Sequence, residues 1–535
     1  MKKTLTLLVA LTLVLALCAG CSKSPKTAGK QDASSPSAAQ AGRNAELDAA
    51  FAAGGPIRLV PAELSGSPGE DWTAISLSPD GKTVLWKGDG NWALTRDGTA
   101  VPVVFNPEKG AGDPYGNSKR VLRIMRELPG PEGLSWSADG RWIAISYLHS
   151  AFVQMRSIDA PVVDTASGET WLVDSINSSI KEDLSGYILL NKVDRSGKYL
   201  YYLLQQRRGT GDDSQTHLCF CRCPVEGGSR EVLCDMVYKE GCAYDVTSSS
   251  NLFEAADGSW LLTGTNRFYR SSQDGQLALI RFSASGDKWT QEVTSLGVPG
   301  KYFAFDYTPW SPASGYGLFC LSFPLIQQTD QAAMEGSVKQ TQNVWSQIPG
   351  YVNLLRLHPG AEAKHDVWCL KKTGDDYRAV EMVPAEDFLW ALKLKSGRLE
   401  AGEKPAAAAW LSQNGSGEGD PVPKGYDEEA LLKDIREEAR LFTLCSALSP
   451  DGYYALINAR VGKDCHLYLV SLETMKVLPV DAPEGVAGVQ LGNNPMGRGY
   501  LPGIFWNQDG TLLIELADQP GHTGAFRLET GPAAE

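Results

Sequence analysis

The stretch from Leu77 to Phe105, LSPDGKTVLWKGDGNWALTRDGTAVPVVF, alternates apolar runs with tight turns, and the chain repeats this pattern. Similar turns stand at Asp139-Gly140, Ser196-Gly197, Asp257-Gly258, Asp451-Gly452 and Asp509-Gly510, with weaker forms at Ser314-Gly315 and Glu386-Asp387. Counted on positions 80, 139, 196, 257, 314, 386, 451 and 509, the intervals run from 57 to 72 residues. Asp-Gly supplies the left-handed backbone positions of a hairpin turn, and the flanking runs carry the β-branched and aromatic residues of strands. Within a period a third run follows, as in THLCFCRCPVEGG, and then a fourth, as in REVLCDM. One four-stranded unit cannot bury both of its faces, so such units stack around an axis.

The S-P-D-G form at Ser78–Gly81 and Ser449–Gly452 resembles the TolB-type propeller repeat, which is also found in the propellers of prolyl-oligopeptidase-like enzymes. The resemblance spans nearly all of residues 56–530 and implies a fold; it says little about a ligand. The α/β domain that precedes the propeller in TolB is missing, so the chain is not TolB itself. The expected fold is all-β: a propeller of about eight four-stranded blades over residues 56–535, or seven if the unit near 386 is something else. The last unit has three runs (GIFWNQ, TLLIELA, GAFRLET), and the lone run PIRLVPA at Pro56–Ala62 is expected to complete it and close the ring. Residues 427–442 place Leu431, Ile435, Ala439 and Phe442 on one helical face, with Asp427 as N-cap, and read as a short helical insertion. The polar, Gln-rich segment 328–350 is a second insertion.

Ahead of the repeats, Lys2 and Lys3 precede an apolar run from Leu5 to Leu17, too short for a comfortable membrane span. Ala19-Gly20-Cys21 then resembles a bacterial lipobox, with Cys18 where Leu is usual. Residues 1–20 therefore read as a lipoprotein signal peptide, with Cys21 as the lipidated N-terminus. Residues 21–55 are rich in Ala, Ser and Gly and read as a flexible tether. Attachment to the membrane would rest on the Cys21 lipid alone, which places the protein on the extracytoplasmic side of the cell membrane. Losing Lys2 and Lys3 takes the net charge from −13 to −15, which argues against nucleic acid and against electrostatic adhesion to anionic lipid.

Of the eleven cysteines, nine follow Cys21: 219, 221, 223, 234, 242, 320, 369, 445 and 465. An odd number cannot all pair within one chain. In HLCFCRC, His217, Cys219, Cys221 and Cys223 alternate along one strand face. Adjacent positions on one strand wrap a tetrahedral ion poorly, so the stripe reads as small residues packed against the next blade, and no metal or cofactor is expected. The six histidines show no H-x-H or H-E-x-x-H spacing, and no G-x-S-x-G elbow is present. Trp86, Trp136, Trp142 and Trp260 fall in strand runs and read as inter-blade contacts.

No acid–base or nucleophile constellation emerges, so the expected function is binding of a protein or cell-envelope ligand without catalysis. The alternative is a glycosidase- or lyase-like propeller whose site gathers scattered side chains at the channel mouth. In a four-stranded meander the first–second and third–fourth turns share one end of the blade. The second–third loops and the inter-blade connections share the other. The long segments 206–216, 266–276 and 328–350 (second–third loops) and 107–131, 176–187 and 427–442 (connections) are thus expected on one face, where a partner would bind.

Overall fold

The computed structural model describes residues 43–531 except 113–132, 147–158, 177–185, 209–214, 238–241, 246–250, 300–310, 325–344, 347–350, 359–364, 383–443, 487–503, 517–521 and a few isolated positions. Helix α1 (Ala45–Ala53) precedes a series of antiparallel sheets. Blade one is Thr73–Leu77, Thr83–Gly88, Asn91–Arg96 and Thr99–Pro102, hydrogen-bonded in sequence order. Blade two (Leu134–Trp136 to Glu169–Ser175) and blade three (Tyr187–Val193, Tyr199–Arg208, Gln215–Pro224, Glu231–Val237) repeat that order. So do blade four (Asn251–Glu254 to Lys288–Pro299) and blade six (Leu444–Leu448 to Val477–Asp481). Blade five runs from Gly317–Cys320 through Tyr351–Leu357 and His365–Thr373 to Asp376–Met382.

The seventh blade closes the ring as expected. Its three C-terminal strands, Ile504–Trp506, Leu512–Glu515 and Thr523–Thr530, are completed by Ile57–Pro61, with Ile57 opposite Thr530 and Pro61 opposite Phe526. The same strand touches blade six in parallel, Ile57 opposite Val480.

Buried clusters join neighbouring blades. Ile75 and Leu94 meet Ile143 and Leu172 between blades one and two. Trp142 and Val173 meet Tyr202 and Cys221 between two and three, and Phe220 meets Trp260 and Phe282 between three and four. Leu318 and Leu354 of blade five pack on Ile457 and Val470 of blade six. Leu513 of blade seven reaches Val84 and Trp86 of blade one. The tryptophans read as inter-blade contacts all lie in these clusters. Seven blades are present among the described residues. The turn expected at 386–387 lies outside them, and blades five and six pack directly on one another.

Within the segment 21–55 that reads as a flexible tether, residues 45–53 form helix α1 and pack on the blades. Asn44 Oδ1 caps α1 by accepting from the N–H groups of Glu46 and Leu47 at 3.1 and 3.2 Å, and Gly54 ends it in the left-handed region at φ 63°. Leu47, Ala50 and Phe51 bury against Tyr454, Leu456 and Leu512, with Phe51 stacked on Tyr454 at 5.5 Å. Spacing of i, i+3 and i+4 gives this short helix an apolar face to bury, which a composition reading overlooks.

The repeat turn has a specific construction. Ser78 Oγ donates to Asp80 Oδ1 at 2.7 Å and accepts the N–H of Thr83 at 2.9 Å. Asp80 Oδ1 also accepts the N–H of Lys82 at 3.1 Å. Ser137-Asp139 and Ser449-Asp451 make the same set. The turn glycine stands against the turn of the preceding blade: a Cβ on Gly81 would lie 2.5 Å from Asp509 Oδ2, and one on Gly452 would collide with Ser311 and Ser314. Gly510, by contrast, has nothing within 4 Å. Both Gly452 and Gly510 have positive φ, 75° and 86°, so alanine at either costs about 1 kcal/mol of backbone strain. Gly452→Ala is expected to lose a further ~1–3 kcal/mol by overpacking, seen as a lower urea midpoint than Gly510→Ala. Equal midpoints would show that the turns do not bear on one another.

Candidate functional site

The turn end of the ring uses its own side chains. The carboxylates of Asp80, Asp139 and Asp451 accept from the backbone and serine of their own turns, and Asp509 accepts from the Thr511 N–H at 3.0 Å and Oγ1 at 2.7 Å. A cleft of about 290 Å³ opens at this end beside the N-terminus of α1, lined in part by Glu46, Asp451, Trp506, Asp509 and Arg527. Asp451 additionally accepts the Asn44 N–H at 3.0 Å, so two of its three carboxylates are taken up by the fold.

The opposite end differs between blades. In blades one and three the second strand begins five residues after the first residue of the turn, at Thr83 and Tyr199. It has six residues in blade one, ten in blade three and nine in blade four. Four extra residues carry the blade-three hairpin about 13 Å beyond the level of blade one. In the two segments read as loops, residues 206–208, 215–216, 266–268 and 271–276 are strand. Arg208 pairs with Gln215, leaving 209–214, and Phe268 pairs with Ser271, so 266–276 is the tip of a long hairpin. Polar side chains suggested loops there, but the backbone ladder continues irrespective of side-chain polarity. Of 107–131, residues 107–112 run along the rim of blade two, where the Ala111 N–H donates to Leu172 O at 2.7 Å. In 328–350, Trp345–Ser346 pairs with Phe323–Pro324. Ile176 and Tyr187 bound 176–187 as buried and strand residues, while 177–185, 427–442 and Cys21 lie outside the described residues.

The extended hairpin of blade three carries a polar group near its tip. Arg208 Nη1 donates to Asp235 Oδ2 and His217 Nδ1 contacts Asp235 Oδ1, each at 2.8 Å. Burial works to raise the Asp235 carboxyl, but the hydrogen bond and charge of His217, together with Arg208, outweigh it and hold it below its ordinary value. Below this group run Cys219, Cys221 and Cys223, all buried and free, packed on Trp171 and Val173 of the preceding blade. The stripe is thus a packed surface, facing the preceding blade where the next had been expected. Among the described residues no group of three or more His, Cys, Asp and Glu is placed to hold a metal ion.

Burial pushes the Cys219 and Cys223 thiols up to about 11, and Cys221 higher still. A nucleophilic or metal-binding cysteine needs the opposite shift, toward thiolate at neutral pH. Nothing in the sequence marked Arg208 and Asp235 as partners of His217; the strand register brings them together.

As a fold the chain is similar to solved β-propellers. A TolB protein of Agrobacterium tumefaciens aligns at 14% identity over 58% of this chain and 81% of its own, with a TM-score of 0.26. The β-propeller domain of the Trilobed protease from Pyrococcus furiosus aligns at 9% identity over 86% of this chain and 97% of its own, with a TM-score of 0.34. TolB from Acinetobacter baumannii aligns at 10% identity over 77% and 65%, with a TM-score of 0.23. No protein-family model and no curated protein matches. The chain is a β-propeller with TolB-like repeat turns, an assignment that its own sheets carry.

The buried thiols give a signed expectation. Unfolded thiols ionise near pH 9 whereas the folded ones resist until about 11, so their contribution to stability is full below pH 9 and is lost as pH rises toward 11. Urea midpoints measured from pH 8 to 10.5 are expected to fall more steeply for the wild type than for a Cys219→Ala/Cys223→Ala variant. Parallel slopes would mean that these thiols are not buried.

Proposed function

We propose that the chain is a lipid-anchored, extracytoplasmic propeller that binds a protein or cell-envelope ligand without catalysis, through the end bearing the lengthened hairpins. The observation that carries this reading is the asymmetry between the two ends. Turn carboxylates are spent on the backbone at one end, while blades three and four project at the other. A rigid ring that presents projecting hairpins of unequal length offers contact area at low ordering cost. The raised thiols weigh against a cysteine nucleophile in blade three. No helix among the described residues is long and apolar enough to cross a membrane, which fits attachment through the Cys21 lipid.

Palmitate labelling and globomycin sensitivity are expected for the wild type and lost in Cys21→Ser. A Cys21→Ser protein that still carries lipid would refute the anchor.

For the binding face, residues 328–350 and 427–442 are each replaced by a short Gly-Ser link, with the fold checked by circular dichroism. Cross-linked partner capture from native membranes is expected to fall with either replacement and to persist when exposed turn residues such as Lys82 are changed. The reverse pattern would place the partner on the turn end. A panel of hydrolase and lyase substrates is expected to give no turnover.

A further inference from the structure

The first strands of successive blades lie against one another and form the inner wall of the ring, while the fourth strands form its rim. In blade three that inner strand is irregular. Leu190 has φ 57°, a left-handed conformation rare for a residue with a branched side chain, and the pairing with the second strand shifts between Leu189 and Lys192. Strain of this kind persists where the surroundings enforce it, and it concentrates at binding sites.

The shift changes what the next two residues do. Asn191 is fully buried: its backbone N–H donates to Ser146 Oγ and its Nδ2 to Ile145 O, both at 2.6 Å, while Oδ1 has no hydrogen-bond partner among the described residues. Lys192 then falls opposite Tyr201, on the side of the sheet that packs toward blade four. Its ammonium makes no hydrogen bond or ion pair with any described residue. Asp194, two positions on, accepts from the Lys198 and Tyr199 N–H groups at 3.0 Å each, and Glu254, on the first strand of blade four, accepts the Arg195 N–H at 2.7 Å. Burial lowers the amine to about 8 with no carboxylate to raise it again. Lys192 is only partly exposed, so a positive charge there without a partner among the described residues is costly, and an anion supplied from the channel would remove that cost.

We propose that Lys192 is the charge-bearing residue of a small-anion site on the inner wall of the ring, between blades three and four, which takes a ligand by its carboxylate or phosphate group. The site goes beyond the partner face proposed above and does not depend on it. It is reached along the ring axis, whereas the partner meets the projecting hairpins.

Thermal melting of the full chain in chloride, acetate or inorganic phosphate, at fixed ionic strength and pH 7.5, reads the site directly. A saturable rise in Tm is expected for the wild type and absent in Lys192→Met. A rise with acetate alone assigns a carboxylate ligand, one with phosphate alone a phosphate ligand, and both together a site for either group. A wild type whose Tm does not saturate with either anion, or a Lys192→Met protein with the same saturable rise, overturns the proposal. Should Lys192→Met fail to fold, limiting acetic anhydride on the wild type, read by mass spectrometry, provides the second measurement. Lys192 is expected to be acetylated at pH 8 and to be slowed about tenfold at nine-tenths occupancy by the effective anion, with exposed Lys82 unaffected. No slowing at Lys192 overturns the proposal.

Discussion

The hydrogen bond from a serine hydroxyl to the aspartate two residues on sets the geometry of this ring. It turns the carboxylate onto the N–H groups of its own turn, so the first and second strands leave at a fixed angle and in a fixed register. The glycine that follows takes positive φ, and at Gly81 and Gly452 it stands close against the preceding blade's turn. One short motif therefore shapes each blade and spaces it from its neighbour. Substitutions of the serine are absorbed by other groups with the same reach. In blade three Asp194 itself accepts the N–H groups of Lys198 and Tyr199, and in blade seven Asn507 Nδ2 donates to Thr511 O at 2.9 Å.

Ring closure places a second constraint on the chain. Three C-terminal strands would leave an open sheet edge, and Ile57–Pro61 fills it from the other end of the sequence. The helix ahead of that strand fastens the joint. Arg43 bridges Asp48 and Glu473 at 2.6 and 2.8 Å and lies over the Tyr453 ring at 5.1 Å, tying the helix to the third–fourth turn of blade six. These exposed ion pairs contribute little by themselves. Burial of Leu47 and Phe51 supplies more of the holding energy, and the ion pairs fix the helix's orientation.

The sequence carried the fold because the repeat is local: turn residues and alternating apolar runs sit within a dozen positions of each other. It also carried closure, since a lone strand at one end and a three-stranded unit at the other are complementary. It was less informative where pairing ignores side-chain chemistry. Polar runs around residues 206–216 and 266–276 looked like loops, yet they continue ladders whose bonds are all backbone. The Ala-rich end, residues 46–53, is compatible with a helical turn on composition alone; the Asn44 cap, the Gly54 stop and the Leu47–Phe51 spacing are the signals that make it a packed helix. The grouping of Arg208, His217 and Asp235 was not readable, because register across three strands decides it. Nor was the bulge at Leu190, since nothing about leucine announces a left-handed backbone.

In the repeated turns one carboxylate oxygen is bound to the turn itself, by the N–H and hydroxyl groups that shape it. The repeated aspartates therefore speak for architecture, however conspicuous they are in the sequence. Breaks in the repeat are where one blade differs from another, and the physics of the ring says which breaks it tolerates. Added length at the hairpin end costs little, because loop-closure entropy grows slowly with length and every added strand residue keeps its backbone bonds. A change at the turn end alters a contact between two blades. The bulge on the inner strand of blade three is a different kind of break, confined to one blade and held by Asn191 gripping Ile145 and Ser146 of its neighbour. With the displaced segment anchored there, the neighbouring lysine can stay without a partner among the described residues while the blade keeps its packing.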